Sequence, residues 1–587
     1  MSGYSGVGRA PLVRTCARGM IVAAALLPLA AAADAAKPVL ACAGLRQQLK
    51  LPAGVLIKSI ALDSGGTVAS AYPNAGPKPE NCVVKGGIGA YTGVKDPDNG
   101  STAYGIDFEL RLPTQWNGRF FYQGGGGADG LVLEADGIIP SQAGNLAASQ
   151  GFGSSPQTPA LWRGFAVVSS DAGHHGLPLF SGFGVDPVAR LNYGYASIGQ
   201  VTPVAKQIVA AYYGQAPHHS YFLGCSKGGQ EAMQAAQKYG AQFDGIVAGD
   251  PGFHLPHAAV AEAWNTQALA KAAHANAPAA VDSNGNPLLY KAFSAADLDL
   301  LRRGVLQACD ALDGAADGMI FNTQACAGRF DPSTLLCAGA KSASCLSAAQ
   351  VSAAQAVFGG ARDGGGNAVY AAFPYDTDIG SANGWPLWDL GLPLGANLAF
   401  NVTLGASSSR YVFSTPPNPG LSMFDVDIDA FLRSIQATSG AYSTSAVDFM
   451  EADSTDLDAL QGHGGKIMFV HGESDPVFSM YDTIDYYNRL GAAYGDTTPD
   501  FARLFLVPGM NHCVGGAYTT DYFDTLDALV AWVEQNNPPA RLIAQPGNPS
   551  ASKLPAGTTR PLCPYPQFAR YTGGPLQDAA SYRCAPE

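Results

Sequence analysis

Between about residues 103 and 250 the chain alternates two hydrophobic patterns. Gly105–Leu112 (GIDFELRL) puts apolar residues at every second position, the period of a strand with one buried face. Arg119–Tyr122 (RFFY), Gly164–Ser169 (GFAVVS), Ser220–Leu223 (SYFL) and Phe243–Ala248 (FDGIVA) are short apolar runs that suit buried strands. Between them, Ala196–Tyr213 and Gly228–Tyr239 carry the helical period. Strands alternating with helices predict a parallel sheet covered on both faces. The pattern breaks near 251, where Ala-rich helical stretches, four cysteines and Gly/Pro turns follow. It resumes with a strand at Lys466–His471 (KIMFVH), a helix at Tyr481–Leu490, a strand at Arg503–Val507 and a helix at Thr525–Glu534. The reading is one α/β domain in two parts, 37–250 and 464–587, interrupted by an insert at 251–463.

The N-terminus has its own pattern. Arg9, Arg14 and Arg18 precede an apolar run from Met20 to Ala33, with A-x-A cleavage options near Ala33 and Ala36. Residues 1–36 read as a secretory signal peptide, because the run is too short to span a bilayer; a membrane anchor is the alternative. The expected destination is the periplasm or the medium. The 587 residues are 47% hydrophobic and 14% charged, which excludes a disordered chain. A net charge of −13 disfavours nucleic-acid partners, and no later stretch is apolar enough to span a membrane. Eleven cysteines, less Cys16 in the leader, leave an even number in an exported chain, which implies disulfides. Short loops close most easily, which favours Cys309/Cys326, Cys337/Cys345 and Cys563/Cys584.

Gly224-Cys225-Ser226-Lys227-Gly228 is a G-x-S-x-G pattern between a strand and a helix, the context of a nucleophile elbow. An ordinary glycine-rich turn is the plainer reading. A serine nucleophile needs a base, and the base an orienting acid, in the chain order Ser, acid, His. Asp475 follows one late strand and His512 the next (KIMFVHGESDP and RLFLVPGMNHC); Glu473 is the rival acid. The other nine histidines precede Asp475 and read as structural or solvated. The oxyanion would be held by the Lys227 N–H and by a glycine N–H of Gly124–Gly127, with Gly126 and Gly127 the candidate donors. A phosphate loop is disfavoured, since no G-K-S/T follows. Cys225 precedes the serine and Cys513 follows the histidine. If the triad exists, a disulfide between them clamps nucleophile loop to base loop; free thiols and a catalytic Cys225 are the alternatives. In the insert, Asp310, Asp313 and Asp317 lie within eight residues and suit calcium, with carbonyls from Ala315 and Met319. A solvated acidic turn is the bland alternative.

These motifs resemble the tannase and feruloyl esterase family, a secreted branch of the α/β-hydrolases. The resemblance rests on Gly224-Cys225-Ser226-x-Gly228-Gly229, His471-Gly472-x-x-Asp475, Pro508-Gly509-Met510-x-His512-Cys513 and the Asp310 loop, and covers nearly the whole mature chain. It implies a doubly wound α/β-hydrolase sheet with a large lid inserted between its nucleophile-bearing and acid-bearing parts. It also implies a Ser226–His512–Asp475 triad, a Cys225–Cys513 bond, a Cys42–Cys82 bond and a structural calcium site in the lid. No organic cofactor is implied. The expected activity is a serine carboxylesterase acting on small aromatic esters of feruloyl, hydroxycinnamoyl or galloyl type. The C-terminal third also resembles the branch that cleaves mono(2-hydroxyethyl) terephthalate, MHETase. That branch holds the substrate's free carboxylate with a lid arginine, where this chain has Ala399, with Arg410 nearby as a substitute. Phe478, Trp385, Trp388, Phe413 and Tyr411 are the expected aromatic contacts. A binding protein on an inactive hydrolase scaffold is the non-enzymatic alternative.

Overall fold

The computed structural model describes residues 36–67, 76–138, 158–548 and 550–586. The predicted signal peptide lies outside them, except for Ala36. Nine strands form one sheet: β1 (Val55–Asp63), β2 (Asn81–Thr92), β3 (Ala103–Pro113), β4 (Arg119–Gln123), β5 (Ala166–Ser170), β6 (His219–Cys225), β7 (Gly245–Gly249), β8 (Lys466–Gly472) and β9 (Ala502–Val507). Their order is β1-β2-β3-β5-β4-β6-β7-β8-β9. The six strands from β4 to β9 run parallel. The expectation of a wholly parallel sheet needs correction, because β1, β2 and β3 form an antiparallel meander and β3 is antiparallel to β5. The short β2–β3 connection needs no crossover helix. Register shifts at Ile57/Ser59 and Ile88/Tyr91 interrupt the two-residue period of β1 and β2, so neither stands out in the hydrophobic pattern.

Among the described residues, the α-helices of eight residues or more are α1 (Ser197–Tyr213), α2 (Lys227–Tyr239), α3 (Leu255–Asn276), α4 (Ala295–Cys309), α5 (Ala348–Phe358), α6 (Ile428–Ile435), α7 (Met480–Tyr494) and α8 (Thr525–Gln535). Alternate strand residues serve opposite faces. Phe120, Tyr122, Phe222 and Phe469 pack with Ile198, Val201, Met233 and Leu490 of α1, α2 and α7. Phe121, Leu223, Met468 and Phe505 pack instead with Leu526, Leu529 and Trp532 of α8. Strands buried on both faces are the reason these runs are nearly all apolar.

Helices α3 to α6 lie between β7 and β8. Ser294 and Ser347 start α4 and α5 as reciprocal capping boxes with Asp297 and Gln350, which fixes both starts despite weak amphipathic patterning. The core of this insertion includes Trp385 and Trp388 and also Val477 and Phe478 from the loop after β8. Ala35–Glu587 forms one compact unit. Five disulfides cross-link it: Cys42–Cys82, Cys225–Cys513, Cys309–Cys326, Cys337–Cys345 and Cys563–Cys584. Among the described residues no helix is long and apolar enough to cross a membrane. From β4 the chain crosses to β5 on one side, then returns to β6 on the other. Doubly wound sheets leave a crevice at such a reversal, outside the carboxyl ends of the strands. Gly124–Gly127 and Ser226 stand there.

Candidate active site

Ser226 links β6 to α2 with φ 65° and ψ −122°, a left-handed conformation rare for a side-chain-bearing residue. Its N–H donates to Gly249 O at 2.9 Å and its carbonyl accepts from Gln230, so both strand and helix hold the strain. The flanking glycines are required by space. A Cβ at Gly224 would lie 2.2 Å from Gly228 O, and one at Gly228 would lie 2.5 Å from Gly125 O.

Asp475 and His512 come from the loops after β8 and β9. Their side chains meet at 2.8 Å, His512 Nδ1 to Asp475 Oδ2. The other oxygen, Oδ1, accepts the N–H groups of Val477 (2.8 Å) and Phe478 (3.1 Å). Burial alone would raise this carboxyl, but His512, His471 and the Val477 N–H hold it below the usual range. Trp388 and Phe478 stand edge-on to the imidazole, with centroids at 5.0 and 5.2 Å. His512 Nε2 is buried and has no hydrogen-bond partner. The Cys225–Cys513 bond, Cα–Cα 6.0 Å, joins the immediate neighbours of Ser226 and His512. Glu473, the rival acid, instead accepts the Thr323 hydroxyl and lines a different cleft with Phe321 and Tyr565.

Asp250 was not singled out in the sequence, yet it touches every part of this arrangement. It follows β7, is fully buried, accepts the Gly472 N–H at 2.8 Å, lies 3.7 Å from Cys225 Sγ and bonds to Asp475 and to the Cys513 N–H. Burial and the Asp475 charge push its carboxyl well up, so it is the neutral partner of the pair and Asp475 the ionised one. Asp376 of the insertion binds the Ser474 hydroxyl (2.8 Å) and the Gly509 N–H (2.7 Å), tying the acid loop to the histidine loop.

The glycine loop departs from expectation at one residue. The Gly125 N–H donates to Glu231 at 2.9 Å and the Gly126 N–H to Asp129 at 2.7 Å. Gly126 is therefore not an available oxyanion donor. Gly127 lines the Ser226 cleft with Lys227, and its carbonyl is held by the Tyr193 hydroxyl at 2.9 Å. The Lys227 ammonium lies 2.9 Å from Glu231 and 3.5 Å from Asp129, over the Tyr193 ring. Burial and the Glu231 carboxylate push Asp129 well above the usual range.

A narrow cleft opens beside Ser226. Phe478, Trp388 and Phe413 line it, as expected. Leu255, Glu262 and Ser408 line it too and were not anticipated. Arg410 and Tyr411 are not among its lining residues. Arg410 Nε donates to Leu421 O at 2.8 Å, and the Tyr411 carbonyl packs on Gly184. Trp385 packs on Phe293 and Phe358 in the insertion core. Ser409–Phe413, which carries Arg410 and Tyr411, forms a single wide π turn.

Residues 90–585 match the family described as tannase and feruloyl esterase. The chain belongs to the tannase and feruloyl esterase family. It is 43% identical over 550 residues to the mono(2-hydroxyethyl) terephthalate hydrolase of Piscinibacter sakaiensis, covering 88% of this chain and 87% of that one. It is 28% identical over 506 residues to a probable feruloyl esterase of Arthroderma benhamiae, covering 81% of each. Feruloyl esterase B from Aspergillus oryzae superposes with a TM-score of 0.70 at 22% identity, covering 93% of this chain and 99% of that one. This member of the tannase and feruloyl esterase family is accordingly a carboxylic ester hydrolase with the α/β-hydrolase fold.

The acidic loop of this family member lies between α4 and the C-terminal tail. Asp310 accepts the N–H groups of Asp317 and Gly318, Asp313 those of Ala315 and Phe321, and Asp317 that of Met319. Asp317 also pairs with Arg560 (2.6 Å) and the Tyr582 hydroxyl (2.8 Å). Burial pushes Asp313 up to about 7, and the neighbouring Asp317 and Asp310 add to the rise. Burial and the neighbouring Asp317 carboxylate also raise Asp310, and the three side chains offer the hard oxygen donors that a divalent cation takes.

Proposed function

We propose that this chain is an exported serine esterase that cleaves esters of small aromatic acids through an acyl-enzyme. The observation that carries the reading is the 2.8 Å Asp475–His512 bond, which leaves His512 Nε2 bare beside the Ser226 elbow. His512 takes the Ser226 hydroxyl proton as Oγ attacks the ester carbonyl, and Asp475 stabilises the imidazolium. The Lys227 and Gly127 N–H groups hold the oxyanion. His512 returns the proton to the leaving alkoxide, which departs as the alcohol. Water then attacks the acyl-enzyme with His512 again as base, releasing the acid and restoring Ser226. The aromatic walls Trp388, Phe413 and Phe478 suit a flat acyl ring. Export is supported by the leader-like residues 1–36 and the five disulfides.

The identity to the terephthalate-ester hydrolase favours a second reading, a terephthalate monoester as substrate. The test is hydrolysis of methyl ferulate, methyl gallate and mono(2-hydroxyethyl) terephthalate, with Ser226→Ala as blank. Turnover that falls by about 10⁶-fold in the blank is expected. Equal rates in the two proteins would overturn the mechanism.

The acidic loop is proposed to hold a structural calcium through the Asp310, Asp313 and Asp317 carboxylates and the Ala315 and Met319 carbonyls. Calcium binds the ionised carboxylates. Asp313 is raised from the ordinary 3.8 to about 7, so without metal its contribution to stability is present below about 4 and lost as pH rises through about 7. Calcium reverses that loss. The calcium-induced rise in melting temperature is therefore expected to grow between pH 5.5 and 8, and to shrink in Asp313→Asn. A rise of the same size at both pH values in the parent protein would contradict the assignment.

A further inference from the structure

Glu262 lies on α3 among the residues lining the Ser226 cleft and is only 9% exposed. Its Oε2 is buried and has no hydrogen-bond partner. That oxygen lies over Gly405, where any Cβ would stand 2.0 Å from it, so the backbone has been brought close to make room for the acid. The group that bears on it electrostatically is Asp389, whose carboxyl accepts Asn401 Nδ2 at 3.0 Å and keeps an unpartnered oxygen of its own. The one cationic side chain among the cleft's lining residues, Lys227, is taken by Glu231 and Asp129. His257, on the same helix, is taken by Glu451. The polar equipment of the aromatic cleft is therefore a carboxyl without a cation.

We propose that Glu262 sets the acyl specificity, selecting aromatic acids that carry a hydrogen-bonding hydroxyl over those that carry a carboxylate. This rests on the esterase reading above and deepens it. Burial, with Asp389 beside it, pushes Glu262 up to about 8, so near neutral pH it can both donate and accept. A ring hydroxyl satisfies it in either role. A site with a buried polar group left unpaired rejects the analogue that lacks the partner. A carboxylate brings a charge into a low-dielectric cleft that offers no counter-ion, and burial of an uncompensated charge is costly.

The test compares three esters of one size class at pH 7: methyl 4-hydroxybenzoate, methyl benzoate and monomethyl terephthalate. The parent protein is expected to favour the hydroxylated ester over methyl benzoate by about 10- to 100-fold in kcat/KM, and over the terephthalate by at least as much. Glu262→Ala is expected to lose the preference for the hydroxyl, its kcat/KM ratio for methyl 4-hydroxybenzoate over methyl benzoate falling towards one, with unaltered circular dichroism reporting an intact fold. Glu262→Gln, which can still donate and accept, is expected to retain part of it. Product inhibition by 4-hydroxybenzoate against terephthalate reads the same preference without turnover. A parent protein that cleaves monomethyl terephthalate as well as the hydroxylated ester overturns the proposal, as does an unchanged preference in both variants. Cleavage of none of the three removes the esterase reading and this one with it, whereas cleavage without preference removes this one alone.

Discussion

Asp475→Asn is expected to lower kcat by roughly 10⁴-fold with the fold intact. Asp475 accepts four donors: His512 Nδ1, the Val477 and Phe478 N–H groups, and the neutral Asp250 carboxyl. An asparagine can keep its oxygen on the two backbone groups. Its NH₂ then faces His512 Nδ1, which must become the acceptor. The imidazole proton moves to Nε2, the atom that has to take the Ser226 proton, and the base is lost. Unaltered circular dichroism with near-abolished turnover is the expected pair of observations. A kcat within tenfold of the parent would mean that Asp475 does not orient the base.

The second large effect is expected from the Cys225–Cys513 bond. Its partners are separated by 288 positions. Closing a loop of that length in the unfolded chain gives about 6 kcal/mol of stability in the chain-entropy account. Cys225→Ser/Cys513→Ser is therefore expected to shift the denaturation midpoint strongly. Because the bond joins the neighbours of Ser226 and His512, it should also lower kcat more than it raises KM. Cys337→Ser/Cys345→Ser is the control, since that bond spans 8 positions far from the cleft. It should cost less stability and leave kcat alone. A double variant at 225 and 513 with parental kcat would show that packing by Trp388 and Phe478 suffices to hold His512.

Much of this was legible in the chain. The strands β4 to β9 are short apolar runs bounded by glycines, and the loops bearing Ser226, Asp475 and His512 follow three of them directly. The antiparallel β1 and β2 were not legible, because register shifts break their alternation and much of β1 faces solvent. The choice of Gly127 over Gly126 depends on where Asp129 and Glu231 point, which no local pattern encodes. Asp250 looks like any polar residue after a strand until β8 and the Cys513 loop close over it. Glu262 sits in an Ala-rich helix whose periodicity is nearly flat, so nothing marks the side that faces the cleft. Arg410 was suggested only by its nearness in sequence to Ala399, which does not tell which way its side chain turns; it bonds to Leu421 O instead.

Strands β7 and β8 are hydrogen-bonded neighbours inside the sheet, yet one ends at Gly249 and the other begins at Lys466. A growing chain therefore completes the elbow and the glycine loop long before it possesses Asp475 or His512. Until the whole insertion has been made, β7 presents an open, apolar edge with no partner. Loop closure over such a length raises the entropic cost only logarithmically, so the burden falls on timing more than on final stability. Long-range strand pairing is slow and leaves unpaired edges open to aggregation. The enzyme's yield, as distinct from its stability, should therefore depend on how quickly the insertion packs and lets β8 reach its place.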